Sequence, residues 1–224
     1  MRQQMRPIDK SITPTWSGDY SGARPHLLNR LGKYCSYCEL KLSTGLHVEH
    51  VESRDSFLDK ANDWANFLLA CVHCNSTKRH HLTLTRADCV WADQDNTFLA
   101  LEQQEFLPPK PSSALTPSLR PLVEKVLEVT GLNRENGPRQ DQRYNAWNKA
   151  LAYRRYLAEY DTPEQRQMIV DFAIEAGFWS VWMTVFAEDA DMKERLIDAF
   201  PGTELTCFDP WQNYQPVNRP GGRI

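Results

Sequence analysis

Apolar and polar positions follow two different rhythms along this chain. From residue 119 onward the apolar residues recur every three or four positions. Leu119, Leu122, Val123, Val126, Leu127 and Val129 fall on one helical face, and Gly131 supplies a stop. A long helical segment follows Asn133 or Asn136 and runs through Tyr144, Trp147, Leu151, Tyr153, Tyr156 and Leu157. Thr162-Pro163-Glu164 reads as an N-cap, a first-turn proline and a first-turn acid, opening a helix that ends at Gly177. Phe178 to Phe186 and Met192 to Phe200 predict two more helices, split around the acidic turn Glu188-Asp189-Ala190-Asp191. The last 24 residues hold four prolines and read as an irregular tail.

The first hundred residues lack that rhythm. Residues 1–22 read as an extended arm, and Leu27, Leu28 and Leu31 predict a short helix stopped by Gly32. Residues 33–81 are punctuated by cysteines, and 82–101 fit strand-and-turn structure or a covering loop. Residues 104–118 contain four prolines and three serines, which cannot continue a helix or a central strand. The expected organisation is an arm and short helix (1–32), a cysteine-bearing module (33–103), a Pro-rich linker (104–118) and a helical domain with an irregular tail (119–224). The expected class is α+β.

Composition changes this picture little: 41% hydrophobic and 25% charged residues are ordinary for a globular protein. No apolar run approaches membrane-spanning length, so no membrane partner is expected. Met1 to Ser11 is polar and lacks the apolar core of a signal peptide, which leads to an expected cytoplasmic location. The net charge of −3 argues against nucleic-acid binding all over the surface. It is unevenly spread. Residues 1–90 carry 12 Lys and Arg against 9 Asp and Glu, while 91–224 carry 14 against 20. All six histidines lie in the first 90 residues, where the chemistry is therefore expected.

Four of the six cysteines form two C-x-x-C pairs, Cys35/Cys38 and Cys71/Cys74. Each pair lets two thiolates reach one ion from a tight turn, and four thiolates satisfy tetrahedral Zn²⁺. A structural zinc site is expected, with the residues between the pairs folded as an insert. Cys89 and Cys207 read as small buried apolar residues, and His73, inside the second pair, as a solvated turn residue.

The insert carries Leu46-His47-Val48-Glu49-His50-Val51, and Asn75 directly follows the last cysteine. Neighbouring side chains of an extended segment point to opposite faces, so Glu49 can hold a metal while His50 faces water. Asn75 offers an amide oxygen as a second ligand. Oxygen donors with much retained water suit Mg²⁺ or Mn²⁺. His47 shares the strand face of Glu49, which leaves open an auxiliary ligand or a plain surface histidine. The run Lys78-Arg79-His80-His81 reads either as phosphate contacts or as the cationic end of a helix.

Tyr34-Cys35-x-x-Cys38, Val48-Glu49-His50-Val51, Trp64-Ala65-Asn66-Phe67-Leu68 and Cys71-x-x-Cys74-Asn75-x-x-Lys78 together resemble HNH endonucleases with zinc knuckles. The resemblance implies a ββα-metal finger clasping one catalytic metal and cutting DNA. It makes His50 the general base, Glu49 and Asn75 the metal ligands, and Asn66 the residue that positions the base. It lets Lys78 face a phosphate, and the basic cluster adds Arg79 as a candidate nucleic-acid contact. Glu49 stands where the family usually has Asp or His. Over residues 6–80 the chain further resembles the HNH subunit of Septu-type anti-phage systems, to which retron-associated HNH proteins are related. That implies a separate ABC/SMC-like ATPase docked on the N-terminal arm or the helical C-terminal region. The alternative from another class is a zinc-stabilised adaptor that binds nucleic acid or protein without cutting.

Overall fold

The computed structural model describes residues 5–102, 105 and 107–224. The expected boundary between 103 and 104 lies outside the described residues, as does the start of the arm. The class is α+β: short two-stranded sheets accompanied by helices, with the helices concentrated in the C-terminal half.

The N-terminal part is built around one hairpin. Helix α1 (Arg24–Leu31) turns its buried Leu27 and Leu31 onto it. Strand β1 (Leu46–His50) pairs antiparallel with β2 (Phe67–Cys71), placing Leu46 opposite Cys71, Val48 opposite Leu69 and His50 opposite Phe67. Every residue of β2 is buried, because α1 and the loops cover both its faces. Helix α2 (Val72–Lys78) follows without a break. Cys71 closes the strand and caps the helix, its sulfur accepting from the Cys74 amide at 3.5 Å.

Residues 82–101 consist mainly of turns, ending in the single-turn helix α3 (Thr97–Ala100) and strand β3 (Leu101–Glu102). The proline-rich segment packs back rather than hanging free. Strand β4 (Lys110–Pro111) pairs with β3, and the Ser112 amide donates to Ala100 O at 2.9 Å. Helix α4 (Arg120–Thr130) buries Val123, Val126 and Leu127 in the same core as the hairpin, and Gly131 closes it at φ 66°. This first helix of the C-terminal half therefore belongs energetically to the N-terminal core.

Helices α5 (Pro138–Glu159), α6 (Pro163–Ala176), α7 (Trp179–Val185) and α8 (Ala190–Ala199) surround a second core containing Trp147, Ile169, Trp179, Trp182, Leu196 and Phe200. Thr162 caps α6 by accepting from the Gln165 amide at 3.2 Å. Gly177 ends that helix, and only glycine fits there. Its φ is 71°, and a Cβ would stand 2.7 Å from Glu39 O. The close approach seats the first cysteine knuckle on the helical part, where the Phe178 amide donates to Glu39 O at 3.0 Å.

Residues 11–19 are irregular and largely exposed, while residues 5–10 and the irregular last 24 residues are tied to the body of the fold by specific side-chain contacts. Arg6 is buried, donating to Pro201 O and Thr203 Oγ1 at 2.8 Å each and to Leu31 O at 3.0 Å. Lys10 is buried too, donating to Trp64 O at 2.9 Å and pairing with Asp93 at 3.2 Å. At the other end β5 (Phe208–Asp209) pairs with β6 (Gln215–Pro216). Arg223 pairs with Asp95 at 2.9 Å, and Ile224 O accepts from the Asn96 amide at 2.7 Å. The reason is satisfaction of polar groups. Extended segments without a sheet partner fill their backbone bonds by threading between the two cores.

Candidate active site and metal centre

The hairpin and α2 carry two clusters of chemistry, one closed and one open. The closed one is Cys35, Cys38, Cys71 and Cys74. All four are buried, and their sulfurs lie within 4.8 Å of one another. Cys38 and Cys71 approach to 3.8 Å. At this separation the thiols share protons. Cys71 is driven strongly toward thiolate by S–H donors from its neighbours, and the same contacts push Cys38 and Cys74 well up. Four buried sulfurs that cannot all ionise alone form a donor set that fits Zn²⁺. Cys89 and Cys207 stand apart, buried, their thiols pushed up to about 12 by burial.

The open cluster lines a cleft of about 540 Å³ on the other side of α2, with His47, Glu49, His50, Asn75 and Arg79 in its wall. His50 Nε2 lies 2.9 Å from Ala61 O. A carbonyl only accepts, so Nε2 carries the proton, and Nδ1 of the neutral ring is left as the acceptor. Tyr20 and Phe67 pack against the ring edge-on at 4.8 and 5.1 Å. Their cover lowers the imidazole pKa by burial, which keeps the ring neutral and able to take a proton.

The Asn66 side chain spends its hydrogen bonds on the loop rather than on the His50 ring. Its Nδ2 donates to Glu52 O at 2.9 Å and to Lys60 O at 3.1 Å, and its Oδ1 accepts from the Glu52 amide at 2.8 Å. These bonds clamp both ends of the loop that delivers Ala61 O to the histidine. Asn66 and His50 are thus both bonded to the backbone of one loop.

Glu49 is buried, and its Oε1 accepts from Lys78 Nζ at 2.8 Å. Burial raises the carboxyl pKa, and the ammonium pulls it back. Lys78 is 5% exposed and also donates to His50 O at 2.7 Å. Lys78 also lines the cleft, beside Asn75 and Arg79. The Cys71 cap fixes the rotation of α2, which turns Cys74 and Lys78 inward. Arg79, one position on, is exposed on the cleft rim.

Residues 35–81 match the family model described as HNH endonuclease. The segment is an HNH domain. It spans both cysteine knuckles, the hairpin and α2, and points to metal-dependent nuclease chemistry. No curated protein matches the chain. Among the described residues no helix is long and apolar enough to cross a membrane.

Sequence reasoning missed three contributors to the site. The Ala61 carbonyl is backbone and carries no residue signal. Tyr20 comes from the turn before α1, about thirty positions from the histidine it covers. Arg54 lies over the Tyr20 ring at 4.7 Å and adds a second exposed cation to the rim. Only Arg54 had a visible signal, a cation close after the His50 motif.

Proposed function

We propose that the chain is a metal-dependent endonuclease that hydrolyses phosphodiester bonds in DNA, with His50 as general base. The observation that carries this reading is the His50 Nε2–Ala61 O bond at 2.9 Å, in a cleft shared with Glu49 and Asn75. A base needs one nitrogen fixed by an acceptor and the other free to take a proton from water. Asn66 is its positioning residue. Arg79 and Arg54 supply cations at the rim for phosphate oxygens.

Glu49 and Asn75 would hold Mg²⁺ or Mn²⁺. The fit lies in the donors: a carboxylate and an amide oxygen beside a wide polar cleft with space for water. When bound, the ion supplies Lewis-acid stabilisation of charge on the phosphoryl and leaving oxygens. Lys78 holds the Glu49 carboxylate in place and opposes the rise in its pKa that burial causes. His47 is exposed in the same wall, open to a water-mediated role.

The finer reading is an effector nuclease of anti-phage defence, acting with an ABC/SMC-like ATPase. It is supported by the resemblance of residues 6–80 to Septu-type HNH subunits. Its docking surface would be the exposed stretch around Ile12 in the N-terminal arm, or the exposed apolar side chains Tyr156, Met168 and Phe172 of α5 and α6 with Tyr160 just past α5.

The deciding experiment incubates the purified chain with plasmid DNA and Mg²⁺ or Mn²⁺, beside His50→Ala, with and without the genomically neighbouring protein. Cutting that disappears in the variant supports the base assignment. Cutting retained in the variant overturns it. The adaptor reading draws support from the Glu49–Lys78 pair, which neutralises the carboxylate. Absence of cutting under every condition would favour it.

A further inference from the structure

Arg139 stands in the first turn of α5, far in sequence from the matched segment. Its Nη1 donates to Cys74 Sγ at 2.9 Å. The same guanidinium reaches Thr130 O at 3.3 Å and Gly131 O at 3.2 Å, the carbonyl end of α4. One turn on, Arg143 is 5% exposed. It donates to Leu107 O at 3.2 Å and to Gln140 Oε1, and among the described residues it forms no ion pair with a carboxylate. Both arginines line a cavity of about 140 Å³ whose wall includes Cys38.

Arg143 is attracted by the buried Glu39 carboxylate as well as by Cys38, whereas Arg139, which among the described residues forms no ion pair with a carboxylate, has the cysteine cluster as its negative partner. Four thiolates around Zn²⁺ leave two negative charges uncompensated, and two arginines face that side of the cluster. We propose that Arg139 and Arg143 complete the zinc site as its outer-sphere charge partners, with Arg139 donating directly to a ligating sulfur. The helical half thus contributes to a metal centre whose four ligands all lie in the HNH domain. The assignment does not depend on what the cleft catalyses.

A plainer role is available to Arg139, as a cap on the carbonyls of α4, and the two roles separate in a spectrum. The full chain is stripped of zinc and loaded with Co²⁺, which reports sulfur ligation through its thiolate-to-metal charge-transfer band. Removing an N–H donor from a ligating sulfur raises the energy of the sulfur lone pair. Arg139→Gln is therefore expected to move the band to lower energy. It is also expected to weaken Co²⁺ and Zn²⁺ binding about 10- to 100-fold in chelator competition, the usual scale for losing an outer-shell partner. Arg143→Gln is expected to weaken binding less and to move the band less. Arg139→Lys, which keeps the charge and loses the fork, is expected to recover part of the affinity. Leu157→Ala on α5 loosens the helical core without removing charge, and should leave the band in place.

A band position and metal affinity unchanged in both glutamine variants would overturn the proposal. So would an equal loss of affinity in Leu157→Ala, since helix packing would then be the operative effect. Should Arg139→Gln fail to fold, Arg139→Lys decides alone: a shifted cobalt band supports the proposal, and one identical to wild type overturns it.

Discussion

The cysteine cluster and the cleft share one seven-residue helix and have opposite needs. Cys74 and Asn75 are neighbours in α2, yet one faces a buried sulfur cage and the other an open polar wall. The cage is closed and its donors are soft. The cleft offers oxygen and nitrogen donors and room for water. In this small domain a closed sulfur cluster and an open cleft are built on one helix. One centre holds the helix at a fixed rotation, and that rotation aims the other.

The largest test of this division is to remove the cage. Cys71→Ser deletes a ligand, the closing residue of β2 and the cap of α2 together. Structural zinc contributes on the order of 10 kcal/mol or more to the folding of such sites. The expected outcome is loss of bound zinc and of the HNH domain's cooperative melting, read by metal content and circular dichroism. A zinc-free variant of normal stability would break the comparison.

The next test acts on the cleft alone. His50→Ala is expected to lower cleavage by roughly 10²- to 10⁴-fold, the usual contribution of a positioned base. Zinc content should stay at the wild-type level. A parallel loss of zinc would mean that the two centres are not separable.

Lys78→Met sharpens the link between them. It leaves Glu49 buried and unpaired, which costs about 3–5 kcal/mol. A divalent ion would restore the missing charge. The expected result is a lowered melting temperature that Mg²⁺ or Mn²⁺ raises further than it does in the wild type. Equal metal-induced shifts in both proteins would count against Glu49 as a ligand.

Asn66→Ala removes three hydrogen bonds that clamp the loop behind His50. At about 1 kcal/mol each, the expected destabilisation is about 2–4 kcal/mol, together with a fall in kcat. An unchanged kcat would show that the loop does not position the histidine. The smallest effect is a control far from both centres: Thr162→Ala removes the α6 cap and should cost about 1 kcal/mol without altering zinc content or cleavage.

Much of this architecture is legible in the chain because it is local. The two C-x-x-C spacings place their sulfurs by turn geometry alone. Alternation along Leu46–His50 gives a strand, and caps at Thr162, Gly131 and Gly177 bound the helices that apolar periodicity predicts. The contacts that are not legible in the chain are non-local. Arg6 and Lys10 look like the charges of a solvated arm, and nothing within ten residues of either reveals the carbonyls that receive them. The four prolines of the last 24 residues suggest an irregular tail, and that irregular segment packs because Arg219, Arg223 and the Ile224 carbonyl find partners. Lys78 sits one helical turn after Asn75, a spacing as good for a phosphate as for a buried carboxylate.

The sequence by itself determined the C-terminal helices and the two cysteine pairs that make up the four-sulfur cluster, because helix periodicity and C-x-x-C spacing are local. Only the tertiary structure decided that Lys78 neutralises Glu49, that Ala61 O sets the histidine tautomer, and that Arg139 from the helical half reaches a knuckle sulfur. Those contacts join segments through backbone carbonyls and packing angles. Residue identity and spacing do not encode them, and they exist only once both cores have formed.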